Sequence, residues 1–267
     1  MPSFAANQSP AAGRTAAVPV AHKLVAVASG KGGVGKTWFA ITLAHALART
    51  GERVLLFDGD LGLANVDIQL GLMPKRDLGS VFDGDISLKG SVQSFEPGGF
   101  DIVAGRSGSG SLANLSVPRL AELVTDMEKL AAGYDRVVID LGAGIERTIR
   151  LLASRAATIL VITNEEPTAL TDAYAFIKMM HADKPGAGLQ VVVNAATTEG
   201  DGQRTYQTLA KACQSFLSVS PVLAGIVRRD RNVPAAVRAQ APLLTRSPTS
   251  EAAADVEAIA RRLPPPR

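Results

Sequence analysis

Gly30-Lys31-Gly32-Gly33-Val34-Gly35-Lys36-Thr37 decides how this chain is read. The stretch fits G-x-x-x-x-G-K-[ST], a loop that cradles phosphates. A second lysine stands directly after the first glycine. The apolar run Leu24-Val25-Ala26-Val27-Ala28 precedes the loop, and a helix-patterned run from Trp38 to Arg49 follows it. That is the strand–loop–helix setting the motif requires. Glycines let successive N–H groups converge on phosphate oxygens. The new helix then turns the positive end of its dipole toward the same anion. Gly30, Lys31, Gly32, Gly33, Val34, Gly35, Lys36 and Thr37 are therefore expected around the phosphates of a nucleotide. Lys36 should reach the β- and γ-phosphates, and the Thr37 hydroxyl should ligate Mg²⁺. Trp38 borders the same site and reads as a packing residue rather than a base-stacking one.

Working outward, three carboxylates follow apolar runs. Asp58 and Asp60 close Val54-Leu55-Leu56-Phe57, and Asp140 closes Val137-Val138-Ile139 in the manner of a Walker B strand. Mg²⁺ keeps several waters and takes few protein oxygens. Thr37 is thus expected to bind the metal directly, with Asp58 and Asp140 holding its waters. Asp60 lies further out and is the candidate for positioning the attacking water, since phosphoryl transfer asks for little covalent chemistry; a turn role is its alternative. Gly144 follows Asp140 at D-x-x-x-G spacing, so its N–H can sense a γ-phosphate from a switch loop. Lys31 is the unusual group. Lys36 already serves the phosphates, and a second ammonium there is costly unless it meets an anion. Lys31 is expected to reach a nucleotide bound by a second copy, as an arginine finger does. Catalysis is thereby assigned to Asp60, Lys31 and Lys36. Asn194 ends the run Val191-Val192-Val193 and can pair with an adenine edge or cap a helix. His22, His45 and His181 show no metal spacing and receive no role.

The rest of the chain supplies a frame. Strands are expected at 23–28, 53–57, 101–104, 136–139, 158–163, 189–193 and 222–227. Helical patterns alternate with them, such as Val117, Leu120, Ala121, Val124, Met127 and Ala131, or Leu170, Ala173, Tyr174, Ile177 and Met180. This alternation predicts an α/β fold, a doubly wound and mostly parallel sheet flanked by helices. Ligands on such sheets lie beyond the carboxyl ends of the strands. A length of 267 residues with 46% hydrophobic content suffices for one large domain. Residues 1–22 read as a disordered arm, 23–246 as the nucleotide-binding domain, and 247–267 as a C-terminal helix with a proline-rich end. That helix should start with Ser247 as N-cap and Pro248 at N1. Residues 105–115 read as a flexible loop. Cys213 is the only cysteine, which rules out an intrachain disulfide and suggests a reducing, cytoplasmic setting. No segment approaches the length of a membrane span. A net charge of +3 is too balanced to imply nucleic acid. From Arg228 onward, however, eight arginines face four acids. A solvated basic face is one reading of this tilt, and an anionic partner or membrane surface is the other.

The Lys31/Lys36 loop, Asp58-Gly59-Asp60 and Asp140-x-x-x-Gly144 together resemble the deviant Walker A ATPases of the MinD/ParA class. Asp58 to Asp67, Leu70-Gly71-Leu72, Pro74-Lys75-Arg76 and Glu166 to Lys178 resemble the FlhG/FleN flagellar-number regulators in particular. The resemblance covers about residues 23–250. It implies a slow ATPase that uses ATP and Mg²⁺ and forms an ATP-dependent, nucleotide-sandwich homodimer. It also implies partners: the SRP-type GTPase FlhF, a flagellar master transcription activator and flagellar switch proteins. By the same resemblance Lys31 is the signature lysine that crosses the dimer, held by Glu166 or Asp172 when no partner nucleotide is present. Asp60 is the switch I carboxylate, and Gly144 belongs to switch II. Arg229 and Asp230 form the adenine wall. Relatives usually carry a proline two residues before that aspartate, where this chain has Arg228. The D-Q-A-x-x-L-R-like motif that stimulates the GTPase is not found in residues 1–22. Many relatives end in an amphipathic membrane helix. Here Val256, Ile259, Ala260 and Leu263 make a narrow stripe expected to pack on the domain, with weak peripheral contact at the inner face of the cell membrane as the alternative. A ParA-type positioning or DNA-partition ATPase is the second functional reading, although direct DNA binding is not expected. Iron–sulfur carriers of the superfamily need cysteine pairs, which Cys213 alone cannot supply.

Overall fold

The computed structural model describes residues 19–106 and 115–265. Most of the expected arm (1–18) and most of the expected loop (107–114) lie outside the described residues. Short unbroken Val/Ile/Leu runs become strands buried on both faces: β1 (Leu24–Ser29), β2 (Val54–Gly59) and, later in the chain, Thr158–Thr163 have no exposed residue. Such runs suit a parallel sheet covered by helices on both sides. The remaining strands are β3 (Gln93–Phe95), β4 (Phe100–Val103), β5 (Arg136–Ala143), β6 (Thr158–Thr163), β7 (Leu189–Ala196) and β8 (Val222–Arg228). Among the described residues they form one eight-stranded sheet of order β3-β4-β2-β5-β1-β6-β7-β8. All neighbours are parallel except the β3–β4 pair.

The helices are α1 (Val20–Lys23), α2 (Lys36–Arg49), α3 (Val66–Leu70), α4 (Leu78–Phe82), α5 (Val117–Ala131), α6 (Arg147–Arg155), α7 (Pro167–Asp183), α8 (Glu199–Leu217), α9 (Asn232–Arg238), α10 (Leu243–Arg246) and α11 (Glu251–Arg262). One core layer joins α2, α10 and α11 to one face of the sheet. The other joins α5, α6, α7 and α8 to the opposite face. Helix α2 is buried from Trp38 to Leu47, as expected of a helix between the sheet and a second helical layer.

Several expectations shift. The edge strand β3 was not anticipated, because three residues are too few to show a period. Strand β5 continues past Asp140 to Ala143, and β7 continues past Asn194 to Ala196. On α5, Val117 and Ala121 face outward and Leu123 faces the core. The C-terminal helix starts later than Ser247. Ser250 is its N-cap, with Oγ accepting the Ala253 N–H at 3.3 Å, and Pro248 belongs to the preceding turn. In that helix Val256, Ile259 and Ala260 are buried against α2 and β8, so the narrow stripe packs on the domain. The chain end is held by Arg136, a nearly fully buried guanidinium that pairs with Glu52 at 3.1 Å and donates to the Pro264 carbonyl at 2.9 Å. Within the basic C-terminal third, Arg228 pairs with Asp255 and Glu251. Of the expected disordered arm, Val20–Lys23 is a helical turn leading into β1. Among the described residues no helix is long and apolar enough to cross a membrane.

Candidate active site

The residues expected at the nucleotide lie at the carboxyl ends of β1, β2, β5, β6, β7 and β8, where an open parallel sheet binds ligands. The loop after β1 turns through left-handed backbone at Gly33 (φ +82°) and Gly35 (φ +87°). Gly35 is the N-cap of α2, so the N–H groups of that helix's first turn open into the loop. Two glycines are also required by close approach. A Cβ on Gly30 would lie 2.0 Å from the Asp172 carbonyl oxygen, and one on Gly35 would lie 2.4 Å from Asn194 Nδ2.

A cavity of about 650 Å³ opens over this loop. Lys31, Gly32, Gly33, Gly35, Lys36, Thr37 and Asp60 line it, as do Gly142 and Glu146. Lys36 Nζ donates to Asp140 Oδ1 at 2.9 Å, and both side chains are almost fully buried. Asp58 and Asp140 face each other in register on β2 and β5, each with no solvent exposure. Burial raises the Asp58 pKa well above the carboxylate range, and the neighbouring Asp140 charge raises it further. Asp140 Oδ2 is buried without a hydrogen-bond partner among the described residues. A buried orphan oxygen beside a second buried carboxylate and the Thr37 end of α2 suits the hydration shell of Mg²⁺, which binds through few protein oxygens. Among the described residues no cluster of three or more His, Cys, Asp or Glu side chains could hold a metal ion.

Asp60 sits at the cavity wall, but its Oδ1 accepts the N–H groups of Gly62 (3.3 Å) and Leu63 (2.9 Å), the turn role weighed for it. Gly144, at φ +110°, donates its N–H to Ser29 O at 2.9 Å, so that donor is occupied within the protein. Lys31 is half-buried at the lip and donates to Glu166 Oε2 at 2.6 Å and Thr168 Oγ1 at 2.8 Å. Of the two acids expected to hold it, Glu166 does so, whereas Asp172 contributes its main-chain carbonyl against Gly30.

A second cavity of about 370 Å³ lies on the other side of the loop, lined by Trp38, Asn194, Ala195, Arg229, Asp230 and Val233 among others. Asn194 is no helix cap. It lies within β7 and its amide donates to the Val34 carbonyl at 2.7 Å, bracing the phosphate loop. Val34 is buried in the core, so only its main chain can face a ligand. Both Asp230 oxygens are engaged, Oδ1 by Asn232 and Oδ2 by the Ala252 N–H at the start of α11. Burial works to raise the Asp230 pKa, but these bonds outweigh it and hold the carboxyl below its usual range. Arg229 is exposed, and among the described residues its one hydrogen bond is from its N–H to Ala196 O at 2.8 Å. Sequence reasoning missed Glu146 and Thr148 at the start of α6 and Gln69 of α3 at the larger cavity, and Thr168 at the start of α7 on Lys31.

A strand, a glycine loop and a buried helix start, facing paired aspartates across a doubly wound sheet, define a P-loop nucleotide-binding protein. The chain belongs to the CobQ/CobB/MinD/ParA nucleotide-binding family, whose domain description matches residues 25–243. It is 37% identical over 241 residues to the antiactivator FleN of Pseudomonas aeruginosa, covering 90% of this chain and 86% of that one. It is 32% identical to the flagellum site-determining protein YlxH of Helicobacter pylori, covering 73% of this chain and 66% of that one. Its fold is similar to that of MinD from Pyrococcus horikoshii, solved with Mg-ADP, with a TM-score of 0.74 at 23% identity over 89% of this chain and 94% of that one. The chain is thus an ATPase of the MinD/ParA type.

Proposed function

We propose that this protein is a MinD-like switch that dimerises on ATP, resets by slow hydrolysis and regulates the number or placement of flagella. The observation that carries the reading is the resting place of Lys31. The loop's second lysine is parked on Glu166 and Thr168 at the cavity lip, outside the Lys36–Asp140 pair. A cation held at an exposed lip is available to a phosphate presented by another copy. The likeness to FleN and YlxH supports the flagellar assignment.

In this reading Lys36 leaves Asp140 Oδ1 for the β- and γ-phosphates. Thr37, Asp58 and Asp140 would hold Mg²⁺, which when bound offsets charge on the phosphate oxygens. Asp60 Oδ2 orients a water on the γ-phosphorus, and the bond to the β–γ bridging oxygen breaks to give ADP and phosphate. Lys31 crosses to the partner's nucleotide and stabilises the charge of the transition state. Trp38, Asn194 and Arg229 border the adenine, with Asp230 behind them as a brace. FlhF, a flagellar transcription activator and flagellar switch proteins are the partners this reading implies. The test is light scattering on Asp60→Ala. A dimer with ATP and a monomer with ADP is expected, and a monomer with both would overturn the switch.

A further inference from the structure

Glu146 reaches the rim of the larger cavity with its carboxylate unpaired. It is the N-cap residue of α6 but makes no side-chain cap bond. Its main-chain carbonyl accepts the Arg150 N–H at 3.1 Å, but among the described residues its side chain has no hydrogen bond or ion pair. The carboxylate instead folds back over Gly144. A Cβ built on Gly144 would lie 2.5 Å from Glu146 Oε2 and 3.0 Å from Oε1. On the other side of the same short segment, a Cβ on Gly142 would lie 3.3 Å from Asp60 Oδ1. Two acidic side chains therefore flank the backbone of residues 142–144.

The two cavities fix which end of a nucleotide meets these charges. The smaller, mostly apolar one, walled by Trp38, Ala195 and Val233, suits a planar base. The phosphate loop lies between the cavities, with Gly35 against Asn194. Phosphates running from the base across the loop toward Lys36 end in the larger cavity, where Glu146 lies. The diphosphate stops one phosphate short of it.

Resting on the ATPase reading above, we infer that Glu146 is a specificity-determining residue that sets the balance between ATP and ADP. Its negative charge opposes the third phosphate and leaves the second almost untouched. The opposition lasts until a cation enters the rim, and Lys31 of a second copy is such a cation. A lone monomer would then hold ATP weakly, and pairing of two copies would tighten it. Glu146 is exposed at the rim, where like charges several ångströms apart change affinity by up to about tenfold, and less as salt screens them.

The experiment titrates wild type and Glu146→Gln with Mg²⁺ plus either ADP or a non-hydrolysable ATP analogue, at low and high salt. The expected result is about tenfold tighter binding of the ATP analogue by Glu146→Gln, with ADP nearly unchanged and the gap narrowing at high salt. Glu146→Lys should move the same ratio further in the same direction. A change shared equally by both nucleotides would mean a structural role for Glu146, and no change would remove its electrostatic one; either overturns the inference. Wild type that binds neither nucleotide would instead refute the ATPase reading itself.

Discussion

Lys31 Nζ rests 2.6 Å from Glu166 Oε2, so the loop's second lysine is tethered to the first residues of α7 while Lys36 stays inside on Asp140. The Lys31 partnership holds the Glu166 carboxyl below its usual range. Both groups are solvent-accessible, and such pairs add little to folding stability. The tether therefore acts on where Lys31 is, not on whether the protein folds. Glu166→Gln should unfold at the wild-type temperature yet dimerise at lower ATP concentrations, because less holds Lys31 at home. Sedimentation across an ATP titration checks this. A dimer that needs as much ATP as wild type would show that the tether does not restrain the lysine.

Trp38 is the only tryptophan in the chain, and it walls the smaller cavity beside Asn194 and Arg229. Its indole Nε1 is buried without an acceptor among the described residues. A base entering this cavity changes the surroundings of that ring. ATP and ADP should both shift the Trp38 emission, and inorganic tripolyphosphate, which has no base, should not. Equal responses to all three would place the base elsewhere and leave Trp38 reporting only on movement of the phosphate loop.

The phosphate loop was legible because its chemistry is local: Gly30 to Thr37 carry their spacing in eight consecutive residues. Asp58, Asp60 and Asp140 were legible because each follows an apolar run, and parallel pairing then sets Asp58 opposite Asp140. Where a role depends on a distant partner, the sequence was silent. Asn194 braces Val34 across 160 residues of chain, so its amide looked free for a ligand. Glu146 and Thr168 gain meaning only when the starts of α6 and α7 meet the phosphate loop and the rim of its cavity. The start of α11 was misplaced because Ser247 and Ser250 are both good caps. The serine that serves is the one that brings Ala252 and Ala253 onto the core.

Arg136 opens β5 at the end of the sheet far from the nucleotide cavities, and it joins Glu52 to the chain end at Pro264. Removing one member of a buried pair leaves its partner uncompensated. Arg136→Met should lower stability by about 3 kcal/mol, the low end for a buried pair because Glu52 keeps some exposure, and the melting temperature by roughly 6–12 °C. Nucleotide affinity, measured on the folded protein, should not change. Unaltered melting would mean that the buried guanidinium contributes nothing net.

His45 lies on α2 near the Phe100 ring, almost fully buried, with no partner for Nδ1 among the described residues. Burial, and secondarily the Arg49 charge, lowers its pKa from 6.5 to about 4. The folded protein thus keeps His45 neutral where the unfolded chain takes up a proton. The unfolded state binds more protons between those two values, so stability falls as pH drops through that window. Above it the imidazole is neutral in both states and contributes no slope. From pH 7.5 to pH 5 the loss assigned to His45 is about 2 kcal/mol. His45→Leu carries no such proton, so its urea midpoint should fall less than that of wild type over the same interval. Parallel curves for the two proteins would show that His45 titrates alike folded and unfolded, and that the buried ring has found an acceptor or a water.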